Sequence, residues 1–465
     1  MKKILSNKFA ISVLIIVVIR AFLNAIIPLM DKTEARYAEI ARIMQETGDW
    51  ITPHIDYTIP FWAKPPLSTW LSASSFELFG LSEFTARLPY LLLSIALLLL
   101  IGKYGKRNGT SFFLPGFILL CIPEFLIHAG VVSTDTALAF CVALVLISFW
   151  ETMSKNGDYY WKYLLFVGLG LGLLAKGPIV FILTLPPMFI WTVYFGQFKL
   201  LFKKTPWFLG TLIVVIIAFP WYYLAEKNSP GFFDYFIVGE HFKRFFDASW
   251  QGDLYGFPKT QPRGIIWLFL AVFSLPWIQL VVVKLWKNRS EAKQNKWVVF
   301  LMLWLLWTPL FFSVSSSLIH PYIMPVMVPI ALLITHYWKD IKRKKIWIRV
   351  GLILPVLTLI MGVLSLFGSE ITYYGNTDKQ LIQHHPSIKS FYHLGTKSYS
   401  TQFYTKGKVK SLEISDLITL SPNHKTGLII RKKLLRKIDT STLKHWKIAD
   451  STHKKVLYIY QKKEE

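Results

Sequence analysis

The sequence predicts an all-α polytopic membrane protein with about eleven transmembrane helices, plus interfacial helices and a small C-terminal soluble α/β domain. Three observations carry this. The chain is 53% hydrophobic and 16% aromatic, with a mean hydropathy of +0.41, which is too apolar for a soluble domain. Its apolar residues form long unbroken runs. A run of ~20 residues crosses ~30 Å of hydrocarbon as a helix, whereas a membrane barrel needs short alternating segments. The net charge of +25 falls mostly in short loops between the runs, which makes it a topology signal rather than a nucleic-acid footprint. No nucleic-acid partner is therefore expected.

Taken in order, membrane segments are expected near residues 9–29, 86–102, 112–130, 134–151, 163–176, 178–197, 207–225, 264–283, 297–315, 320–337 and 347–368. The first is too long for a signal-peptide core and lacks a clean small-residue cleavage site, so it is expected to be retained. Lys103, Lys106 and Arg107, then Lys199, Lys203 and Lys204, then the groups around Lys284 and Lys342 lie in alternate loops. The positive-inside rule puts these loops in the cytoplasm. The N-terminus is then cytoplasmic, and loops 30–85 and 226–262 and the C-terminus face outward. Residues 1–368 form the membrane domain and 369–465 a soluble domain on the outer face. Cys121 and Cys141 lie within apolar runs and read as small buried hydrophobes rather than a disulfide.

The two long outward loops are aromatic and patterned, which points to function. In the first, residues 34–47 and 67–80 show helical spacing and are expected to lie in the interface. Asp31, Glu34, Arg36 and Tyr37 cluster just past the first span. Alone they would read as a capped, solvated helix start. At a membrane surface, a guanidinium beside carboxylates also suits a phosphate-bearing lipid and a general base. Lys64 stands in Phe61-Trp62-Ala63-Lys64-Pro65-Pro66. The stiff turn either presents it to a phosphate or sugar or lets it snorkel. Asp135 opens a span at its outer end, as N-cap or as a costly functional carboxylate. Lys176 sits at a break between two apolar runs, where a charge lines a cavity rather than facing lipid. In Glu240-His241-Phe242-Lys243-Arg244, His241 and Arg244 share a helical face. Arg20 is expected to face the bundle, His320-Pro321-Tyr322 starts a late span, and His384, His385 and His393 read as surface histidines.

The ordered stretches TEARYAEIARIM, GDWITP, PFWAKPPLSTW, FGLSEFTARLP, STDTALAF, LLAKGPI, FPWYYLAEKNSPGFFDYFIVGEHFKRF and SSSLIHPYIMP run from about residue 31 to 330. Together they resemble the GT-C glycosyltransferases that use polyprenyl-phosphate sugars. The nearest group is the lipid A aminoarabinose transferases, with the protein O-mannosyltransferases more distant. The tail carries no such likeness. Two departures matter. The resemblance implies a catalytic Asp where this chain has Thr33, which leaves Asp31 or Glu34 as the base. It also implies a Glu before Lys-Pro-Pro that joins the second-loop His on a divalent metal. Here that position is Ala63, which argues against a metal at His241; the resemblance leaves a divalent metal as the one cofactor open to this chain. Arg36, Tyr37, Lys64, Asp135, Lys176, His241, Arg244 and Tyr322 are implied to bind the donor.

The implied protein is an inverting glycosyltransferase of the bacterial inner membrane, acting as a monomer at the outer face among membrane lipids. It moves a sugar from a polyprenyl-phosphate donor to an envelope acceptor, a lipid A-type glycolipid being favoured. The alternatives are a protein O-glycosyltransferase of the same fold, a lipid or polysaccharide transporter, and a membrane partner without activity. A transporter predicts repeated halves and polar residues spread at mid-depth. No repeat is visible, and the ionisable residues gather at one face.

Overall fold

The computed structural model describes residues 2–461 apart from 155–157, 248, 249, 251, 257–259, 368, 369, 421, 423 and 424. In the N-terminal part, α1 (Lys2–Ile26) leads to α2 (Thr33–Thr47), a small hairpin of β1 (His54–Asp56) and β2 (Ile59–Pro60), and α3 (Leu67–Phe79). Then come α4 (Glu83–Arg107), the short α5 (Leu114–Leu120) and α6 (Pro123–His128), α7 (Thr134–Met153), α8 (Trp161–Lys176), α9 (Ile179–Tyr194), α10 (Phe198–Lys204) and α11 (Trp207–Asn228). A π-helix (Asp234–Lys243) and α12 (Arg244–Phe246) form the second long loop. The bundle ends with α13 (Ile265–Phe273), α14 (Trp277–Lys287), α15 (Arg289–Gln294), α16 (Lys296–Phe312), a 3-10 helix (His320–Val326), α17 (Met327–Tyr337) and α18 (Lys344–Phe367).

The expected count of eleven spans is not matched. Among the described residues six helical stretches are long and apolar enough to cross a membrane, or seven if the α13–α14 pair, bent by 100°, is one span. The physical reasons are local. Pro123 follows directly on Ile122 and divides 112–130 into α5 and α6, of seven and six residues. Pro276 sits at the α13–α14 bend. The α8, α9 and α16 helices exist but are 16, 16 and 17 residues long. Helix α7 is central, with 89% of its most apolar window buried against 17% for α18 and 22% for α11. Exposed Phe219 on α11 and Met361 on α18 are the surface such outer helices offer to lipid chains.

Helix α2 departs from a surface-lying amphipath. Ala35, Ala38, Ile40, Ala41, Ile43 and Met44 are all within 1% of complete burial, because α3 covers one side and the tail the other. The tail holds a five-stranded sheet in the order β4-β3-β5-β7-β6, preceded by α19 (Glu370–Tyr374) and α20 (Lys379–Gln383). Its strands are β3 (Ser390–Leu394), β4 (Val409–Leu412), β5 (Thr426–Arg431), β6 (Trp446–Ser451) and β7 (Lys455–Tyr460). Helix α21 (Tyr399–Tyr404) links β3 to its parallel neighbour β4, while α22 (Asp416–Thr419) and α23 (Lys432–Leu435) flank β5. GLIIR lies in β5 and KVLYIY is β7. The KKLL that follows GLIIR is helix α23, and β3 lies between two parallel partners. His393 on β3 is fully buried, not at the surface, because that strand lies inside the sheet. Arg20 does face the protein interior, donating to the carbonyls of Ala129 (2.5 Å) and Ile127 (2.8 Å). Both cysteines are buried and free.

Candidate functional site

The two long loops close on each other through aromatic hydrogen bonds. Trp62 Nε1 donates to Ser229 Oγ (2.7 Å), and its backbone N–H donates to the Tyr255 hydroxyl, which in turn donates to the Pro60 carbonyl (2.8 Å). Trp221 on α11 and Trp70 on α3 pin the intervening turn by donating to the carbonyls of Ile51 and Trp50. These bonds hold the Lys-Pro-Pro turn over the second loop and fix where Lys64 points.

Lys64 meets Glu240 at 2.8 Å, and Arg244, one helical turn on, binds both oxygens of the same carboxylate at 2.9 and 3.1 Å. Asp253 stands 3.5 Å from Arg244. Glu240 is 3% exposed. Burial alone would raise its carboxyl, but Lys64 and Arg244 outweigh that and bring it down to about 2. So it is Glu240, not His241, that Arg244 faces, because the π-helix ends there and α12 continues it.

A second cluster abuts the first. Lys176 ends α8 and forms an ion pair with Asp135 of α7, and its Nζ lies 4.3 Å from the Tyr322 ring. The Ser133 hydroxyl caps α7 on the Asp135 N–H and donates to its carboxylate, both at 3.1 Å. The break after Lys176 is made by Gly177 at φ +79°. A Cβ there would meet the Phe236 ring at 2.6 Å and His241 Nε2 at 3.0 Å. His241 joins the two clusters: its Nδ1 faces the Phe236 carbonyl (2.7 Å) and its Nε2 the Lys176 carbonyl (3.3 Å). Burial lowers its pKa. A metal needs a free ring-nitrogen lone pair and two further ligands. Both nitrogens of His241 are turned to backbone carbonyls, Ala63 brings no carboxylate, and Glu240 is taken by two cations. The residues here do not fit a metal.

Arg36 sits in an aromatic cage, its guanidinium carbon 5.3, 5.6 and 6.0 Å from the rings of Tyr37, Phe61 and Tyr399. It donates to the Tyr255 carbonyl at 2.9 Å, and its buried Nε–H has no partner. Tyr37 also interacts electrostatically with Lys176. The residues named from sequence for the donor are therefore brought together, from six helices and the Lys-Pro-Pro turn.

The two carboxylates expected to act as base lie differently. Glu34 is clamped bidentately by Arg87 of α4 at 2.7 and 2.6 Å. Arg87, itself 2% exposed, also donates to the carbonyls of Asn24, Ile27 and Pro28. Asp31 points to the tail: it accepts the Ser400 N–H at 3.0 Å and the Ser400 hydroxyl at 2.5 Å. Burial raises its pKa, against the opposing pull of Lys455. Thr33 opens α2 without a side-chain cap bond. The contributions of Glu240, Ser400 and Tyr399 were not read from sequence. Arg87 offered a signal, as an arginine next to an apolar run demands a buried acceptor.

Fold and site together define a multi-pass membrane protein with a cationic, aromatic-walled cluster built from its two long loops and helix ends. A sequence model described as dolichyl-phosphate-mannose-protein mannosyltransferase matches residues 8–236. A curated relative from Pseudomonas fluorescens, named undecaprenyl phosphate-alpha-4-amino-4-deoxy-L-arabinose arabinosyl transferase 2, is 28% identical over 342 residues, covering 72% of this chain and 60% of the relative. A namesake from Yersinia pestis is also 28% identical, with the same coverage. The chain thus spans 60% of the length of these relatives. Among solved structures, ArnT from Cupriavidus metallidurans bound to undecaprenyl phosphate superposes with a TM-score of 0.78 at 17% identity, covering 97% of this chain and 98% of that one. The archaeal oligosaccharyltransferase AglB from Archaeoglobus fulgidus gives 0.52 at 11% identity, covering 92% and 70%. The chain is thus similar in sequence to these arabinosyl transferases and shares the fold of ArnT.

Proposed function

We propose that the protein is an inverting glycosyltransferase of the bacterial inner membrane. It takes a sugar from a polyprenyl-phosphate donor and passes it to an envelope glycolipid of the lipid A type at the outer face. The observation that carries this is one arrangement: Lys64 and Arg244, from opposite outward loops, share a single buried carboxylate beside the caged Arg36 with its unpartnered N–H. With Arg36, three cations stand against the two carboxylates of Glu240 and Asp253, which leaves one positive charge for a lipid phosphate, and arginine binds phosphate through paired donors. In transfer, the acceptor oxygen bonds to the anomeric carbon while the bond from that carbon to the phosphate oxygen breaks. The electron pair leaves on the phosphate, and Arg36, Lys64 and Arg244 are the groups we assign to receive that charge. Lys176, Tyr322, Tyr37 and Asp135 shape the neighbouring wall for the sugar, and His241 holds the chain break that presents Lys176.

For the base we propose Asp31. Glu34 is occupied by its bidentate pair with the buried Arg87. Among the described residues the Asp31 carboxylate is bonded through Ser400 alone, has lone pairs to spare, and is made more basic by burial. The positive-inside pattern supports outward-facing loops and tail. The match to protein mannosyltransferases supports a protein acceptor as the second reading. Mass spectrometry of envelope lipids and glycoproteins from cells carrying wild type or Lys64→Ala separates these. A sugar added to a lipid A-type glycolipid only by wild type is the expected result. A change confined to proteins would favour the second reading, and no change in either class would refute transfer.

A further inference from the structure

A cluster outside the proposed donor site has its own chemistry. Glu124 on α6 is fully buried, and its carboxylate receives two imidazoles from distant parts of the chain. His128 Nδ1 lies 3.0 Å from one oxygen, and His320 Nδ1 lies 3.1 and 3.0 Å from the two. One ligand atom from each of the three residues falls within 4.8 Å of the others. Among the described residues, the ion-pair partners of this carboxylate are these two histidines, with no lysine or arginine. A buried carboxylate needs positive charge to offset its lost hydration, and a divalent ion held with the two imidazoles would supply it.

We propose that Glu124, His128 and His320 form a zinc site, with a water in the fourth position. Two imidazoles and one carboxylate with an open place are a set that zinc takes in tetrahedral geometry, and the spacing of the three ligands already matches a shared ion. The surroundings hold the ligands in place. Phe273 stacks on the His320 ring at 4.6 Å and 10°, and Phe269 stands edge-on at 6.5 Å. The Thr136 hydroxyl donates to the His128 carbonyl. His128 Nδ1 also faces the Glu124 carbonyl at 3.0 Å, a contact the metal displaces. His320 keeps a side chain 38% exposed, which gives the ion an entry path. The ion would join α6 to the 3-10 helix that carries Tyr322 two residues later, so it would brace one wall of the donor site from behind.

The test uses the full chain in nanodiscs, stripped with chelator, reloaded with zinc chloride and desalted. Metal content is read by mass spectrometry and geometry by the visible spectrum of the cobalt form. Wild type is expected to hold about one zinc and to show a tetrahedral cobalt spectrum. Glu124→Gln and His320→Ala are expected to fall at least tenfold in zinc affinity and lose the spectrum. His320→Ala, at a half-exposed position, is expected to keep the metal-free melting temperature. His241→Ala is expected to retain the zinc. No zinc in wild type, or full zinc in His320→Ala, would overturn the site. Loss in His241→Ala with retention in His320→Ala would move the metal to the outward loop and overturn it equally.

Discussion

Arg36 shows what a single residue needs before it can hold a phosphate. Three aromatic faces and one carbonyl fix its guanidinium and leave an inward N–H free. Charge-assisted hydrogen bonds contribute about 1.5–3 kcal/mol, so Arg36→Ala and Lys64→Ala should each lower transfer efficiency on the order of 10–100-fold with expression unchanged. Initial rates with a polyprenyl-phosphate donor check this, and wild-type kinetics in both variants would remove these residues from the site. The two carboxylates should separate cleanly. Asp31→Asn is expected to abolish transfer while the protein inserts and melts normally. Glu34→Gln leaves Arg87 buried without its counter-charge, which costs about 3–5 kcal/mol, so its first symptom is a lower melting temperature. A fully active Asp31→Asn would shift the base to Asp135. His393 gives a pH dependence. Burial, aided by Lys455, lowers its pKa to about 4. The unfolded chain takes up this proton near pH 6.5 and the folded one does not. The stabilisation is therefore complete above pH 6.5 and is lost as pH falls toward 4, on the order of 3 kcal/mol at most. Melting curves of the whole chain should show that slope, and His393→Leu should flatten it.

Among elements, the break between α8 and α9 does the most positioning. Gly177 adopts φ +79° and ψ −155°, a region open in practice to glycine alone. It lets Lys176 end a helix at Asp135 while its carbonyl faces His241. Gly177→Ala adds backbone strain of about 1–3 kcal/mol and drives a Cβ against Phe236. It should lower both the melting temperature and the rate, and a neutral Gly177→Ala would show that the break is not needed. The interrupted helix 114–128 follows the same logic. Proline and short length break the span, and burial within protein lets the irregular backbone exist at membrane depth. Hydropathy reads apolar length and cannot see whether a segment is shielded from lipid by its neighbours.

At the scale of the whole molecule, the tail is part of the site rather than an appendage. Tyr404 accepts the Leu29 N–H at 2.8 Å and bonds Glu83, Lys379 pairs with Glu83 at 2.6 Å, and Lys397 pairs with Asp56 at 2.5 Å. Ser400 holds Asp31, and Tyr399 closes the Arg36 cage. Tail and second loop must then face the same side. Lys243→Cys and Lys410→Cys, both exposed against a background of buried cysteines, should react with an impermeant maleimide from outside intact spheroplasts. Labelling of Lys410→Cys only after permeabilisation would reverse the topology.

Local chemistry written in consecutive residues was legible in the chain. Apolar runs and basic loops set the membrane class, the Lys-Pro-Pro turn and the Lys176-Gly177-Pro178 break marked where charge collects, and the ordered motifs carried the family likeness. Partner choice was not legible, because a charge selects its counter-charge by distance in space. Glu34 and Asp31 are three residues apart and look interchangeable in sequence, yet one is bound to Arg87, 53 residues away, and the other to Ser400, 369 residues away. Only packing the tail against the first loop decided that Asp31 stands beside Arg36's cage with a raised pKa while Glu34 became part of the frame, since burial and a buried counter-ion act on the folded arrangement and not on the order of residues.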